Sequence, residues 1–226
     1  FEPASHFECV DFKGIKIAVT ICEDLWNINN NPLYVAEPMD ELIRQKPKLM
    51  INIAASPFSY CHDDERVEVL SNNAKKYKLP LLYVNQVGAQ TEIIFDGGSL
   101  AFDAKGNLID EMPYFKEELR IYEFADNVIT GHQPIQHQTV PDVEQIYEAL
   151  VLGMKDYFAK SGFSKAVLGL SGGIDSALVC ALACRALGPE NVMAVLMPSK
   201  YSSDHSIQDA LDLVKNIGCQ HEIIPI

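Results

Sequence analysis

Two stretches of the chain carry residue types that chemistry needs. In the first, Val19 to Trp26 (Val-Thr-Ile-Cys-Glu-Asp-Leu-Trp), Cys22 follows an apolar run and precedes two carboxylates. That pattern places Cys22 at the C-terminal mouth of a buried strand, where α/β folds put reactive groups. A thiol becomes a nucleophile only when a neighbouring base and cation lower its pKa. Buried cysteines are otherwise inert packing, which is the plain alternative for Cys22. The second stretch, Val167 to Ser176, reads Val-Leu-Gly-Leu-Ser-Gly-Gly-Ile-Asp-Ser. Here a short strand breaks at Gly172-Gly173 and an apolar helix, Ala177 to Leu187, begins after Asp175-Ser176. Paired glycines let main-chain N–H groups approach an anion, and the helix N-terminus adds unpaired N–H groups and positive dipole. Asp175 and Ser176 suit helix caps, and Ser171 and Ser176 offer hydroxyl donors. The pattern is a phosphate cradle without the Walker lysine, and its plain alternative is a tight strand-to-helix turn.

The string Ser171 to Ser176, with the preceding Gly169 and Leu170, resembles the pyrophosphate-binding loop of the N-type ATP pyrophosphatases. That resemblance implies ATP binding by Gly169, Leu170, Ser171, Gly172, Gly173, Ile174, Asp175 and Ser176, with Mg²⁺ accompanying the nucleotide. It implies cleavage of ATP to AMP and pyrophosphate and leaves the substrate open.

The segment Val19 to Trp26 resembles the nucleophile strand of the nitrilase (carbon–nitrogen hydrolase) superfamily. Asn52 to Phe58, Asn85 to Gly88 and Phe95 to Ser99 follow in the order of that fold's later strand ends, over about residues 1 to 125. The resemblance implies that Cys22 attacks an amide carbonyl, forming a thioester and releasing ammonia. Glu23 would hold the substrate's amino group and Ser56 would bind substrate. Six positions beyond Ser56, where the superfamily has a basic residue, this chain has His62. The superfamily's glutamate and lysine precede the cysteine and would lie before Phe1. Lys13 and Lys16 do not match their positions. Arg66, one helical turn beyond His62, suits a salt bridge within its own helix.

A nitrilase-type amidase followed by a pyrophosphate loop is similar to the glutamine-dependent NAD⁺ synthetase family. Met197 to Ala210 adds a further match. What this implies is amidation of deamido-NAD⁺ with ATP, using ammonia from glutamine passed through an internal channel, in a cytoplasmic homo-oligomer with no prosthetic group. Other readings stay open: a different ATP-pyrophosphatase ligase, a stand-alone amidase joined to a nucleotide-binding module, or a piece inactive by itself.

Elements must position these residues. Ile15 to Ile21, Lys48 to Ala54, Leu81 to Asn85, Leu100 to Phe102 and Leu119 to Phe124 read as strands. Gln86 to Gly88, Phe95 to Ser99 and Ala104 to Asn107 read as turns. Pro32 to Gln45 reads as a helix kinked or started at Pro38. Asp64 to Lys78 reads as an amphipathic helix with Val67, Leu70, Ala74 and Tyr77 on its stripe. Residues 126–141 read as a linker with exposed His132 and His137. Asp142 to Lys160 is helical, with Val143, Ile146, Leu150 and Met154 at helical spacing. Val192 to Met197 is a strand and Ser206 to Ile217 a helix stopped by Gly218.

The expected class is therefore α/β. Residues 1–125 form part of a nitrilase-like α-β-β-α sandwich, 126–141 a linker, and 142–226 the start of a doubly wound parallel-sheet domain. The chain begins without Met and stops at Pro225-Ile226, just into a strand, so an internal piece of a longer protein is expected. A hydrophobic share of 48% supports a packed core, and no stretch reaches the roughly 20 apolar residues of a membrane helix. A net charge of −13 argues against an extended nucleic-acid surface. Six cysteines lack framework or zinc spacing, which fits a reduced compartment; Cys180 and Cys184, one turn apart, fit core packing.

Overall fold

The computed structural model describes residues 4, 6–27, 36–60 and 62–226. The chain divides into two compact units, residues 1–88 with 94–145 and residues 89–93 with 146–226.

In the first unit, β1 (Val10–Phe12) and β2 (Ile15–Ile21) form an antiparallel pair. Helix α1 (Pro38–Leu42) starts at the proline, whose fixed φ suits a first helical turn. The expected start at Pro32 lies outside the described residues. Strand β3 (Leu49–Ala54) pairs in parallel with β2, and α2 (Asp63–Tyr77) leads to β4 (Leu81–Asn85), parallel to β3. Then come β5 (Val87–Gln90), β6 (Ile93–Asp96), β7 (Leu100–Phe102) and β8 (Leu108–Glu111). A six-stranded mixed sheet runs β1-β2-β3-β4-β7-β8. Its core holds Ala18, Met50, Leu81, Tyr83 and Phe102 from the sheet and Leu70 and Ala74 from α2. The expected α2 stripe is right in period, but Val67 and Tyr77 are only partly buried.

One expected turn is a strand, and one expected strand is shorter. Gln86 to Gly88 is not a plain turn, since Val87–Gln90 pairs with Ile93–Asp96 as a hairpin. The expected strand Leu119 to Phe124 shrinks to β9 (Glu123–Ala125), paired with β10 (Val128–Thr130). Leu119 and Ile121 are each 87% exposed, so β-propensity there found no partner to pack against. Residues 126–141, expected as a bare linker, are tied to the first unit. Ile129 is buried in a side cluster with Leu49 and Ala101, and the Ile135 amide donates to the Leu108 carbonyl. His137 is not exposed: it is largely buried, its Nδ1 lies 2.8 Å from Glu111 Oε1, and its Nε2 lies 3.4 Å from Asp64 Oδ1.

Helix α3 (Asp142–Lys160) spans the expected residues. Of its apolar series only Met154 packs into the second unit's core, whereas Val143 is 76% exposed and Ile146 and Leu150 are partly open. The second unit continues with β11 (Ala166–Gly169), α4 (Ile174–Leu187), β12 (Val192–Leu196), α5 (Asp204–Ile217) and β13 (Gln220–Ile223). The three strands are parallel in the order β11-β12-β13, with one helix between successive strands. Leu170, Cys180, Ala183, Val192, Ala194, Leu196 and Val214 form the core. Helix α4, expected to be buried, hides one face only: Ile174, Leu178 and Val179 are exposed. Cys180 and Cys184 pack with Cys219, and burial, reinforced by the neighbouring thiols, pushes the Cys180 and Cys184 thiols up and keeps them protonated. Among the described residues no helix is long and apolar enough to cross a membrane.

Candidate functional site

Strand β2 delivers Cys22 to a single turn of 3₁₀ helix, Cys22–Leu25. Cys22 has φ +45°, in the left-handed region that costs an L-residue roughly 1–2 kcal/mol. Three groups hold this turn. The Asp24 carboxylate accepts the Ile21 amide at 2.8 Å. Asn52 Nδ2, from β3, donates to the Cys22 carbonyl at 3.3 Å and to Thr20 Oγ1 at 2.9 Å. Asn73 Nδ2, from α2, donates to the Leu25 carbonyl at 2.7 Å, and Leu25 itself is buried. The Cys22 side chain is half-buried and Glu23 beside it is exposed.

A chain of buried polar groups crosses the neighbouring strand ends. The Ser56 amide donates to Asn85 Oδ1 at 2.9 Å. Asn85 Nδ2 donates to Asp96 Oδ1 at 3.0 Å and to the Gly97 carbonyl at 2.8 Å. Arg66 closes the chain with both Asp96 oxygens, at 3.1 and 3.0 Å. Arg66 is fully buried, and its partner comes from β6 rather than from its own helix, which corrects the expected internal salt bridge. The reason is burial: a guanidinium removed from water needs a planar carboxylate facing it, and no residue of α2 provides one there. Burial pushes the Asp96 carboxyl upward against the pull of Arg66. Tyr83 lies under the guanidinium, 5.8 Å from ring centre to Arg66 Cζ. Burial pushes the Tyr83 hydroxyl up to about 12; Arg66 and Ser56 pull it back, and Cys22 is among the groups that raise it.

His62 sits at the N-terminal boundary of α2, stacked on Trp26 at 5.5 Å, with Nε2 3.0 Å from Glu65 Oε2. Its Nδ1 is buried and, among the described residues, without a hydrogen-bond partner. Stacking on Trp26 links His62 to the Cys22 turn. Sequence reasoning missed Asn52, Asn73 and Tyr83. Asn52 left one signal, a polar amide inside the otherwise apolar run Leu-Met-Ile-Asn-Ile-Ala.

In the second unit, the loop Leu170 to Gly173 joins β11 to α4. Gly173, not Asp175 or Ser176, is the helix N-cap, and it makes no side-chain cap bond. Ser176 Oγ instead donates to the Gly173 carbonyl at 2.9 Å and accepts the Ser171 amide at 3.2 Å. Ser171 Oγ accepts the Gly173 amide at 3.3 Å and lies 3.0 Å from Ser176 Oγ. Gly172 has φ +83°, and a Cβ there would fall on the Ser206 carbonyl of α5. Gly173 has an ordinary φ of −84°, so only one of the two glycines is needed for the turn. A cavity of about 350 Å³ lies beside the loop, lined by Leu170, Ser171, Met197, Tyr201, Ser203 and Ser206. The free amides of the first turn of α4 and the Ser171 hydroxyl form a cradle suited to a phosphate group.

These two features define the class: an α/β chain with a strained cysteine turn and a glycine turn at a helix N-terminus, in which residues 146–226 match the NAD synthase family. Over its whole length the chain is related to glutamine-dependent NAD(+) synthetases. It is 48% identical to that enzyme of Synechocystis over 100% of this chain and 41% of the relative. To the Thermotoga maritima enzyme it is 37% identical, over 100% of this chain and 44% of the relative. The solved glutamine-dependent NAD⁺ synthetase of Acinetobacter baumannii, in complex with ADP, superimposes with a TM-score of 0.87 at 34% identity. That match covers 100% of this chain and 41% of the other. The chain therefore spans about two fifths of the length of the relatives it matches.

Proposed function

We propose that the chain is part of an enzyme that makes NAD⁺ from deamido-NAD⁺, ATP and glutamine. The observation that carries this reading is the occurrence, on one chain related end to end to such synthetases, of the Cys22 turn and the Ser171–Ser176 cradle. In the first reaction the Cys22 thiolate attacks the side-chain amide of glutamine. The amide C–N bond breaks, ammonia leaves after taking a proton, and water then releases glutamate from the thioester. Glu23, Ser56 and His62 bind the glutamine head group.

In the second reaction the nicotinate carboxylate of deamido-NAD⁺ attacks the α-phosphorus of ATP, and pyrophosphate leaves. Main-chain amides of the first turn of α4 and the Ser171 hydroxyl receive its negative charge, the ordinary electrostatic strategy for a phosphate leaving group. Mg²⁺, when bound with the nucleotide, neutralises phosphate charge; Asp175 is the carboxylate nearest in sequence to the cradle. Ammonia displaces AMP from the activated carboxylate, and an internal passage that excludes water keeps it unprotonated. The division into an amidase part over 1–125, a connector over 126–141 and a synthetase part over 142–226 belongs to the same proposal, as do a homo-oligomeric state and a cytoplasmic location.

The test uses the full-length protein, wild type and Cys22→Ala, with NAD⁺ formation followed from glutamine and from ammonium. Cys22→Ala should lose the glutamine reaction and keep the ammonium one. Retention of both would place the nucleophile elsewhere, and absence of NAD⁺ from either donor in the wild type would remove the substrate assignment.

A further inference from the structure

Thr20, Asn52 and Tyr83 are direct partners across the parallel strands β2, β3 and β4. They form a row on one face of the sheet, with exposures of 1%, 0% and 2%. A polar row buried this completely calls for a physical reason, because apolar residues would fill the same positions without desolvation. Asn52 uses its amide group in one direction only. Both of its bonds run from Nδ2, one to Thr20 Oγ1 and one to the Cys22 carbonyl. Its Oδ1 is buried and, among the described residues, without a partner. A side chain present only to satisfy its own polarity would pair both ends. The bond to Cys22, in contrast, falls on a residue that stands in the left-handed region at φ +45°. Such a conformation persists where the surroundings over-determine it.

We propose that Asn52 is a positioning residue for Cys22. By holding the Cys22 carbonyl from β3, it fixes the rotation of the peptide unit after the cysteine and keeps φ positive. The thiol is thereby aimed out of the strand mouth rather than along the sheet. Asn52 does not touch the reacting atoms; it acts through the main chain of the nucleophile. This inference rests on the amidase reading of Cys22, and its test separates the two.

The experiment uses the full-length protein and four forms: wild type, Cys22→Ala, Asn52→Ala and Ser71→Ala. Ser71 is a control for a lost internal hydrogen bond away from the cysteine turn, since its Oγ donates to the Gly106 carbonyl at 2.7 Å. For each form, kcat and KM are measured with glutamine and with ammonium, together with the rate at which iodoacetamide labels Cys22, read by peptide mass analysis. Asn52→Ala should lower kcat with glutamine about 10- to 100-fold at little change in KM, the effect of losing one orienting hydrogen bond. It should slow Cys22 labelling in parallel and leave the ammonium reaction intact, while Ser71→Ala changes none of these. Wild-type kcat and labelling rate in Asn52→Ala would overturn the proposal. Equal loss in Asn52→Ala and Ser71→Ala would also overturn it, by showing a purely structural effect. If Cys22→Ala keeps the glutamine reaction, the amidase reading itself has failed, whatever Asn52 does. Should Asn52→Ala not fold, Asn52→Thr, a strand-compatible residue too short to reach the Cys22 carbonyl, carries the same predictions.

Discussion

The two adjacent glycines of the Ser171–Ser176 loop look equivalent in sequence and should behave very differently on substitution. A Cβ at Gly172 would lie on the Ser206 carbonyl, 2.8 Å from its carbon and 2.9 Å from its Cα, all main-chain atoms that have no rotamer to escape into. A Cβ at Gly173 meets nothing closer than Ser171 Oγ at 3.5 Å, an ordinary contact. Gly172→Ala also forces an L-residue to φ +83°, a penalty of about 1–2 kcal/mol. Relief of the overlap with α5 adds about 1–3 kcal/mol. The sum is about 2–5 kcal/mol, relieved in practice by moving the loop away from α5. Displacement of a positioning loop by about 1 Å can cost on the order of 100-fold in rate. Gly173→Ala keeps its φ and loses about 1 kcal/mol or less, as alanine is a poorer N-cap than glycine. The assay is ammonium-dependent NAD⁺ formation by the full-length protein, which bypasses the amidase, with thermal unfolding alongside. Gly172→Ala should raise the KM for ATP and lower the rate, with Gly173→Ala much closer to wild type in stability. If the two alanine variants are equally stable and Gly172→Ala keeps a wild-type KM for ATP, the close approach of loop and α5 is not what shapes the cradle.

Other expectations concern the first unit. Asp96→Ala leaves the fully buried Arg66 guanidinium without its carboxylate and should cost about 3–5 kcal/mol in chemical denaturation. The double variant Arg66→Met/Asp96→Leu should recover most of that loss, and a cost for Asp96→Ala under about 1 kcal/mol would refute the assignment. Tyr83 gives a pH dependence whose sign follows from its raised pKa, about 12 against an ordinary 10.0. The folded protein holds this proton where the unfolded chain has released it, so the contribution is complete below pH 10 and fades as pH rises toward 12. Between about pH 10 and 11.5, Tyr83→Phe should remove roughly 2 kcal/mol of the alkaline loss of stability. Identical alkaline profiles for wild type and Tyr83→Phe would contradict the burial argument.

What the sequence made legible were elements whose pattern is local. Leu70 and Ala74 of α2 lie in the core on the expected stripe, and the expected strand from Val192 forms as β12 with Val192, Ala194 and Leu196 alternately buried. Strands β1 and β8 were missed, because three or four residues are too few to show a period. Leu119 and Ile121 alternate like a strand, yet among the described residues no strand pairs with them, and pairing partners are not written locally. In the candidate sites, Cys22 and the glycine turn could be found from residue type and position. The left-handed backbone at Cys22, the reach of Asn52 from β3 to Cys22, and the pairing of Arg66 with Asp96 thirty residues later depend on tertiary placement. His137 shows the same limit: its polar surroundings read as a solvated connector, whereas three carboxylates from α2 and β8 enclose it.

The mutual bonding of Ser171 and Ser176 has a consequence for how a ligand would be met. The hydroxyls of the loop close on its own main chain and on each other, so internal bonds define its shape. Arrival of an anion then orders little, and its departure need not collapse the turn. Hydrogen-bond capacity is exchanged rather than created, since each serine contact made to a guest oxygen replaces one already present. Under the proposed function, a phosphate group would then be held through the amides of α4 and released without refolding of a turn stitched by its own serines.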